Sequence, residues 1–171
     1  MGKLTWIISE VSSHLSFKLK YLELSHIAGK VLRFNGQVTA NEFFDSPEIY
    51  LFLDANSIET YQLRENELLR SREVLYTEQF PFIEFNSTDG CSLRSGRIWE
   101  LTGDLMIKDT KKPLTLIVNY SDIEMNEKTG LAKFRLFGEV NRSEFGLRCS
   151  QEDHYGEAIS ISAYMILHAT I

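Results

Sequence analysis

Four histidines, His14, His26, His154 and His168, are the side chains of this sequence best suited to hold a metal or move a proton. None stands in an HxxxH or HxH pair, and a metal site needs three or four converging ligands, so no metal centre is expected. Serine, histidine and aspartate all occur, yet no GxSxG elbow presents a serine for nucleophilic attack. The glycines stand apart, without the GxGxxG or GxxxxGK[ST] loops whose backbone amides cradle phosphates. Cys91 and Cys149 form no CxxC and read as two ordinary thiols, with a bridge between them open only in an oxidising compartment. Two arginines remain. Arg142 lies beside Glu144 in the run Asn-Arg-Ser-Glu-Phe-Gly, where it would tie one end of the fold through an ion pair or else hold an anionic group. Arg64 falls in a helix-like stretch, suited to surface exposure or to a ligand contact. A guanidinium fits phosphate because its planar donors engage two oxygens together.

Composition narrows the classes further. The chain has 171 residues, 43% hydrophobic and 25% charged, the size and make-up of one globular domain over residues 1–171. Lys and Arg number 18 against 24 Asp and Glu, a net charge of −6. An acidic chain lacks the clustered cations that displace counterions from phosphate backbones, so nucleic acid is not expected as a partner. No apolar run approaches the ~18 residues of a membrane-spanning helix. The N-terminal apolar run meets Glu10 too early for a secretory leader. As written, the sequence reads as a soluble cytoplasmic protein, or a periplasmic one if a leader has been removed.

The elements that would position any site are strands. Alternation with period two marks strands wet on one face and dry on the other. Leu15, Phe17, Leu19 and Tyr21 alternate with Ser16, Lys18 and Lys20, and Leu32, Phe34 and Val38 with Arg33, Asn35 and Gln37. Further dry faces are Ile83 and Phe85; Trp99, Leu101, Gly103, Leu105 and Ile107; Leu114, Leu116, Val118 and Tyr120; Ala132, Phe134, Leu136 and Val140; and Ile159, Ile161, Ala163 and Met165. Ile49–Leu53 is apolar throughout and gives no face. Ser57–Thr77 differs, being rich in Glu, Leu and Arg, with Tyr61, Leu68 and Leu75 seven apart; it predicts a helical insertion over about 57–77. About eight or nine mostly antiparallel strands, each dry on one face, must close into a sandwich or a barrel. An eight-stranded barrel has an interior that side chains just fill or that takes one slender ligand. The aromatics on the dry faces would serve either end.

Several short runs resemble the YceI-like family, polyisoprenoid-binding proteins with a lipocalin-like barrel. Trp6, then Ser13 and Phe17, are similar to its opening Trp and "HS…F" element. Gly29, Phe34 and Gly36 resemble "G…F.G", Ser57-Ile58-Glu59-Thr60 resembles "SI.T", and Arg64-Glu65 with Leu68 resembles "RD..L". Phe80-Pro81 with Ile83, Phe85, Ser87 and Thr88, then Gly103-Asp104-Leu105-Met106-Ile107 through Lys112-Pro113-Leu114, continue the match. Asn141-Arg142-Ser143-Glu144-Phe145-Gly146-Leu147 is similar to "inR.dFGi". Departures fall on polar positions: Ser9 and Ser12 where the family has an Asp and a His, and Glu67 where it often has a His.

The resemblance implies an all-β, antiparallel eight-stranded lipocalin-like barrel with one short helical excursion. It implies non-enzymatic binding, storage or transport of a long-chain isoprenoid, a polyprenyl diphosphate or an isoprenoid quinone, in the interior. On that reading Phe17, Leu19, Tyr21, Phe34, Ile83, Phe85, Trp99, Leu101, Leu116, Val118, Tyr120, Phe134, Leu136, Ile161 and Met165 would meet the tail. Arg64 and Arg142 would meet the head group. The expected partner is a hydrophobic small molecule, with no cofactor beyond that lipid. The alternatives are a barrel filled by its own side chains that works through its surface, as a homodimer for instance, and an enzyme acting on an isoprenoid or fatty-acyl substrate.

Overall fold

The computed structural model describes residues 2–147 and 154–171, and at 89–94 the backbone alone. The expectation for Cys91 and Cys149 therefore lies outside the described residues. In chain order the strands are β1 Leu4–Ile8, β2 His14–Tyr21, β3 Ser25–Val31, β4 Phe34–Ala40, β5 Glu48–Asp54 and β6 Ile58–Thr60. Helix α1, Leu63–Arg70, is followed by β7 Phe82–Ser95, β8 Ile98–Ile107, β9 Thr110–Met125, β10 Thr129–Asn141 and β11 Tyr155–Thr170. All pairings are antiparallel, and β1-β4-β5-β7-β8-β9-β10-β11 close into an eight-stranded barrel through the β1–β11 ladder.

The other three strands continue members of this ring past a bend. β1 and β2 are successive halves of one bent strand, pairing with the C-terminal and N-terminal parts of β11. β3 and β4 repeat the arrangement, as do β6 and β5. Two buried serines make the bends. Ser13 Oγ accepts the Ile166 N–H at 2.9 Å, and Ser57 Oγ accepts the Arg33 N–H at 2.9 Å while donating to the Asp54 carbonyl at 2.7 Å. Each hydroxyl occupies a place where the ladder would otherwise leave a buried backbone group unpaired.

Connections β2–β3, β6–β7, β8–β9 and β10–β11 lie at one end, called upper here, and the chain termini with the remaining turns at the lower end. At the lower end the ring is closed. At the upper end β6 pairs only with β3, and β7 with β5 and β8. Residues 61–81, with α1, span that gap.

Sequence patterning needs correction at two places, and the face left open in β5 can be assigned. Helix is confined to Leu63–Arg70, because Ile58–Thr60 is drawn into the sheet beside β3 and the Asn66 side chain accepts the Thr60 N–H at 2.6 Å. Beyond it, turns run from Ser71 to Phe80. They bury Val74 and Leu75, whereas Tyr61 is 92% exposed, so the spacing of Tyr61, Leu68 and Leu75 makes no continuous stripe. Leu32 is exposed at the β3–β4 bend, where the parity resets and Val31 and Phe34 turn inward. In β5, Ile49, Leu51 and Leu53 face the interior, while Phe52 meets Tyr50 at a tilt and Phe82 edge-on, its ring 6.0 Å from each.

Candidate functional site

The interior is divided into two chambers. The lower is filled by an aromatic plug. Trp6, fully buried, meets Phe44 at a ring separation of 4.7 Å, and Phe44 meets Phe134 edge-on at 4.9 Å. Phe44 comes from the β4–β5 loop, where Asn41 Oδ1 accepts the N–H groups of Phe43 and Asp45, both at 3.0 Å. That turn swings Phe44 inward at φ +56°, a left-handed backbone uncommon for a non-glycine residue. About 50 Å³ remains open in the lower chamber, among Trp99, Leu101, Val118, Phe134, Leu136 and Met165 with their neighbours.

The upper chamber is a cavity of about 170 Å³. Phe17, Leu19, Ile27, Leu53, Ile83, Leu105, Ile107, Val140, Ile159 and Ile161 line its walls from the strands. Leu68, Leu69, Val74 and Leu75 cover it from α1 and the turns that follow, and Leu147 from the β10–β11 connection. Polar groups are few: Ser16, Glu65, Arg142 and Tyr155. The Tyr155 hydroxyl donates to Glu65 Oε2 at 2.5 Å, and the Arg142 guanidinium lies over the Tyr155 ring at 5.6 Å.

A waist separates the chambers. Phe34, Phe85 and Leu116 are buried and line neither. On the facing strands the lining run is interrupted once each, at Gly103 of β8, Gly138 of β10 and Ala163 of β11. These small residues make room for the large ones. A Cβ on Gly103 would collide with the Phe85 ring and lie 2.5 Å from the Asn86 carbonyl oxygen, and one on Gly138 would lie 2.6 Å from Leu116 Cδ2.

The expected tail contacts thus separate into groups. Phe17, Leu19, Ile83 and Ile161 reach the upper cavity; Trp99, Leu101, Val118, Phe134, Leu136 and Met165 the lower; Phe34, Phe85 and Leu116 form the waist. Tyr21 stacks on Tyr155 at 5.0 Å, and Tyr120 lies in a groove at the lower rim, under the Arg97 guanidinium at 5.4 Å. Arg64 is exposed on α1 and lines neither chamber, whereas its neighbour Glu65 lines the upper one. Arg142 is 5% exposed and donates to the carbonyls of Gly156, Leu147 and Tyr155 at 2.8, 2.8 and 3.0 Å. Its expected partner Glu144 is exposed and, among the described residues, pairs with no cation. The four histidines are exposed and dispersed. Two groups outside the cavity are shifted from their ordinary values. Tyr50 is held above its ordinary value by donating to Glu84, and Arg72 is raised by its hydrogen bond to Tyr76.

Sequence reasoning missed the contribution of 61–81 to the cavity. Leu68, Leu69 and Leu75 were expected on one or two short helices; Leu68 and Leu69 lie on α1, while Leu75, with Val74, comes from irregular turns. Glu65 was visible only as part of the Arg64-Glu65 motif, and its pairing with Tyr155 gave no signal, since they meet across 90 residues of sequence.

Known proteins repeat this architecture. The family described as the YceI-like domain matches residues 6–167. The chain is 27% identical over 118 residues to the UPF0312 protein of Shewanella denitrificans, covering 65% of this chain and 59% of that one. It is 29% identical over 137 residues to Protein YceI of Salmonella newport, 78% and 70% of the two lengths. Among solved structures, BcnA of Burkholderia cenocepacia superposes with a TM-score of 0.79 at 17% identity, over 93% of this chain and 98% of that one. A domain from Saccharophagus degradans, described as polyisoprenoid binding and implicated in plant cell wall breakdown, superposes with a TM-score of 0.74 at 10% identity, over 97% and 99%.

Proposed function

Since the chain belongs to the YceI-like domain family, we propose that it is a non-enzymatic carrier of an amphiphile with an isoprenoid tail, which enters the upper cavity and leaves its head group at the upper end. The observation that carries this reading is the cavity of about 170 Å³ with an apolar wall and few polar groups, three of which, Glu65, Arg142 and Tyr155, come from α1, the β10–β11 connection and the start of β11. The polyisoprenoid-binding domain with the same fold supports it. A buried methylene-sized group contributes about 0.8 kcal/mol, so a tail binds through desolvation without a specific hydrogen bond. Glu65, the acid in this wall, accepts the Tyr155 hydroxyl proton donor, an arrangement suited to holding the rim together more than to proton transfer.

The size of the cavity limits what enters it at rest. An apolar cavity of about 150 Å³ holds one benzene, so this one takes roughly one isoprene unit. A polyprenyl tail advances further only by displacing Phe34, Phe85 or Leu116 and joining the chambers. The test is native mass spectrometry of the purified protein, alone and after incubation with a prenyl quinone or a prenyl diphosphate, beside an Ile161→Trp variant. Mass shifts in the wild type and at least tenfold weaker retention in a folded Ile161→Trp are expected. A wild type that stays unshifted with both lipids would favour a barrel working through its surface.

A further inference from the structure

The β2–β3 hairpin ends in leucines where the physics of a turn favours other residues. Leu24 is 95% exposed and Leu22 51% exposed. Leu22 also sits at φ +55°, a left-handed conformation for which glycine or asparagine is the low-cost choice. The fold gains little packing from either side chain. Two more exposed apolar residues, Tyr61 at 92% and Leu63 at 84%, stand on the next upper-end connection. Behind the tip the hairpin turns basic: Lys18 and Lys20 point outward on β2, with His26 opposite Lys20, and Glu23 is its single acid. Neither Lys18 nor Lys20 forms an ion pair among the described residues. An apolar tip with cationic shoulders, on a chain of net charge −6, complements an anionic interface.

Position links this tip to the cavity. Leu19 and Ile27, cross-strand partners two residues inside the turn, line the upper chamber, and so do Glu65, Leu68 and Leu69 just after Leu63. We infer that the upper end docks on an anionic lipid bilayer, with Leu22 and Leu24 inserted at the headgroup–acyl boundary and Lys18 and Lys20 against the headgroups. A tail then passes between bilayer and cavity without crossing water. This use of the surface rests on the carrier reading, but bilayer docking and cavity occupancy are measured separately.

The test is cosedimentation with sucrose-loaded vesicles of phosphatidylcholine, with and without a third of phosphatidylglycerol, for the wild type, Leu22→Ser/Leu24→Ser and Lys18→Gln/Lys20→Gln. The wild type should sediment mainly with the anionic vesicles, and less in high salt. The leucine pair should lower the partition coefficient by about tenfold, with thermal stability and lipid retention in native mass spectra unchanged. The lysine pair should remove the preference for anionic vesicles. Equal sedimentation of wild type and leucine pair, or none by the wild type, overturns the inference. So does a dimer that the leucine substitutions convert to monomer in sedimentation velocity without any vesicle binding, since the tip would then belong to a second copy. Docking with an empty cavity would instead leave the inference standing and count against the carrier reading.

Discussion

Arg142 shows how a motif residue can be structural and still sit in the wall of a site. Its three donors hold the carbonyls of Leu147, Tyr155 and Gly156, joining the end of β10 to the start of β11. Asn141 sets up the same turn, its Oδ1 accepting the Ser143 N–H at 3.0 Å. Hydrogen bonds from a charged donor contribute about 1.5–3 kcal/mol each, and a lysine cannot reproduce the planar fork. Arg142→Lys should therefore lower the melting temperature by roughly 5–15 °C, measured by calorimetry. Binding of a prenyl quinone and of a prenyl diphosphate should weaken equally. An unchanged melting temperature with selective loss of the diphosphate would make the guanidinium a head-group contact instead.

At the scale of elements, the carrier reading makes the waist the limit on how far a ligand goes. Phe85 on β7 lies over Gly103 on β8 and is one of the three large side chains between the two chambers. Phe85→Ala should cost about 3–5 kcal/mol of stability and shift preference toward longer prenyl chains. The measurement is a chain-length series by native mass spectrometry; an unchanged length profile would place the barrier elsewhere. The alternation within β7 to β11 made much of their inward faces legible from sequence, Phe85 and Gly103 included, because period two survives wherever the register runs unbroken. It failed where that pattern is broken. Leu32 lies at a bend, and β3 went unread because Ser25, His26 and Gly29 dilute its apolar parity. Ser13 and Ser57 were visible as motif serines, but their task, replacing a ladder partner at a bend, depends on strands that meet only in the folded barrel. The cavity was legible in its walls and not in its cover, since residues 61–81 are placed by tertiary contacts. Phe44 was unreadable for the same reason, its inward turn being set by Asn41.

For the whole molecule, the ring closed below and parted above has a kinetic consequence. Below the bends every strand has two neighbours, and the aromatic plug fills the space they enclose. Above, β6 is three residues long with one partner, and α1 reaches back to it chiefly through Asn66 and Thr60. Local opening draws on the least interconnected parts of a structure. Amide hydrogen exchange should accordingly run on two timescales. Protons of β1, β8 and the C-terminal half of β11 should leave only with global unfolding, whereas those of β6, α1 and residues 71–80 should leave through a lower-energy, subglobal event. A bound tail should slow the second group and not the first; uniform slowing would mean that the barrel opens as one body. If the two groups separate, the half that admits a guest can loosen repeatedly while the half that keeps the chain folded stays shut.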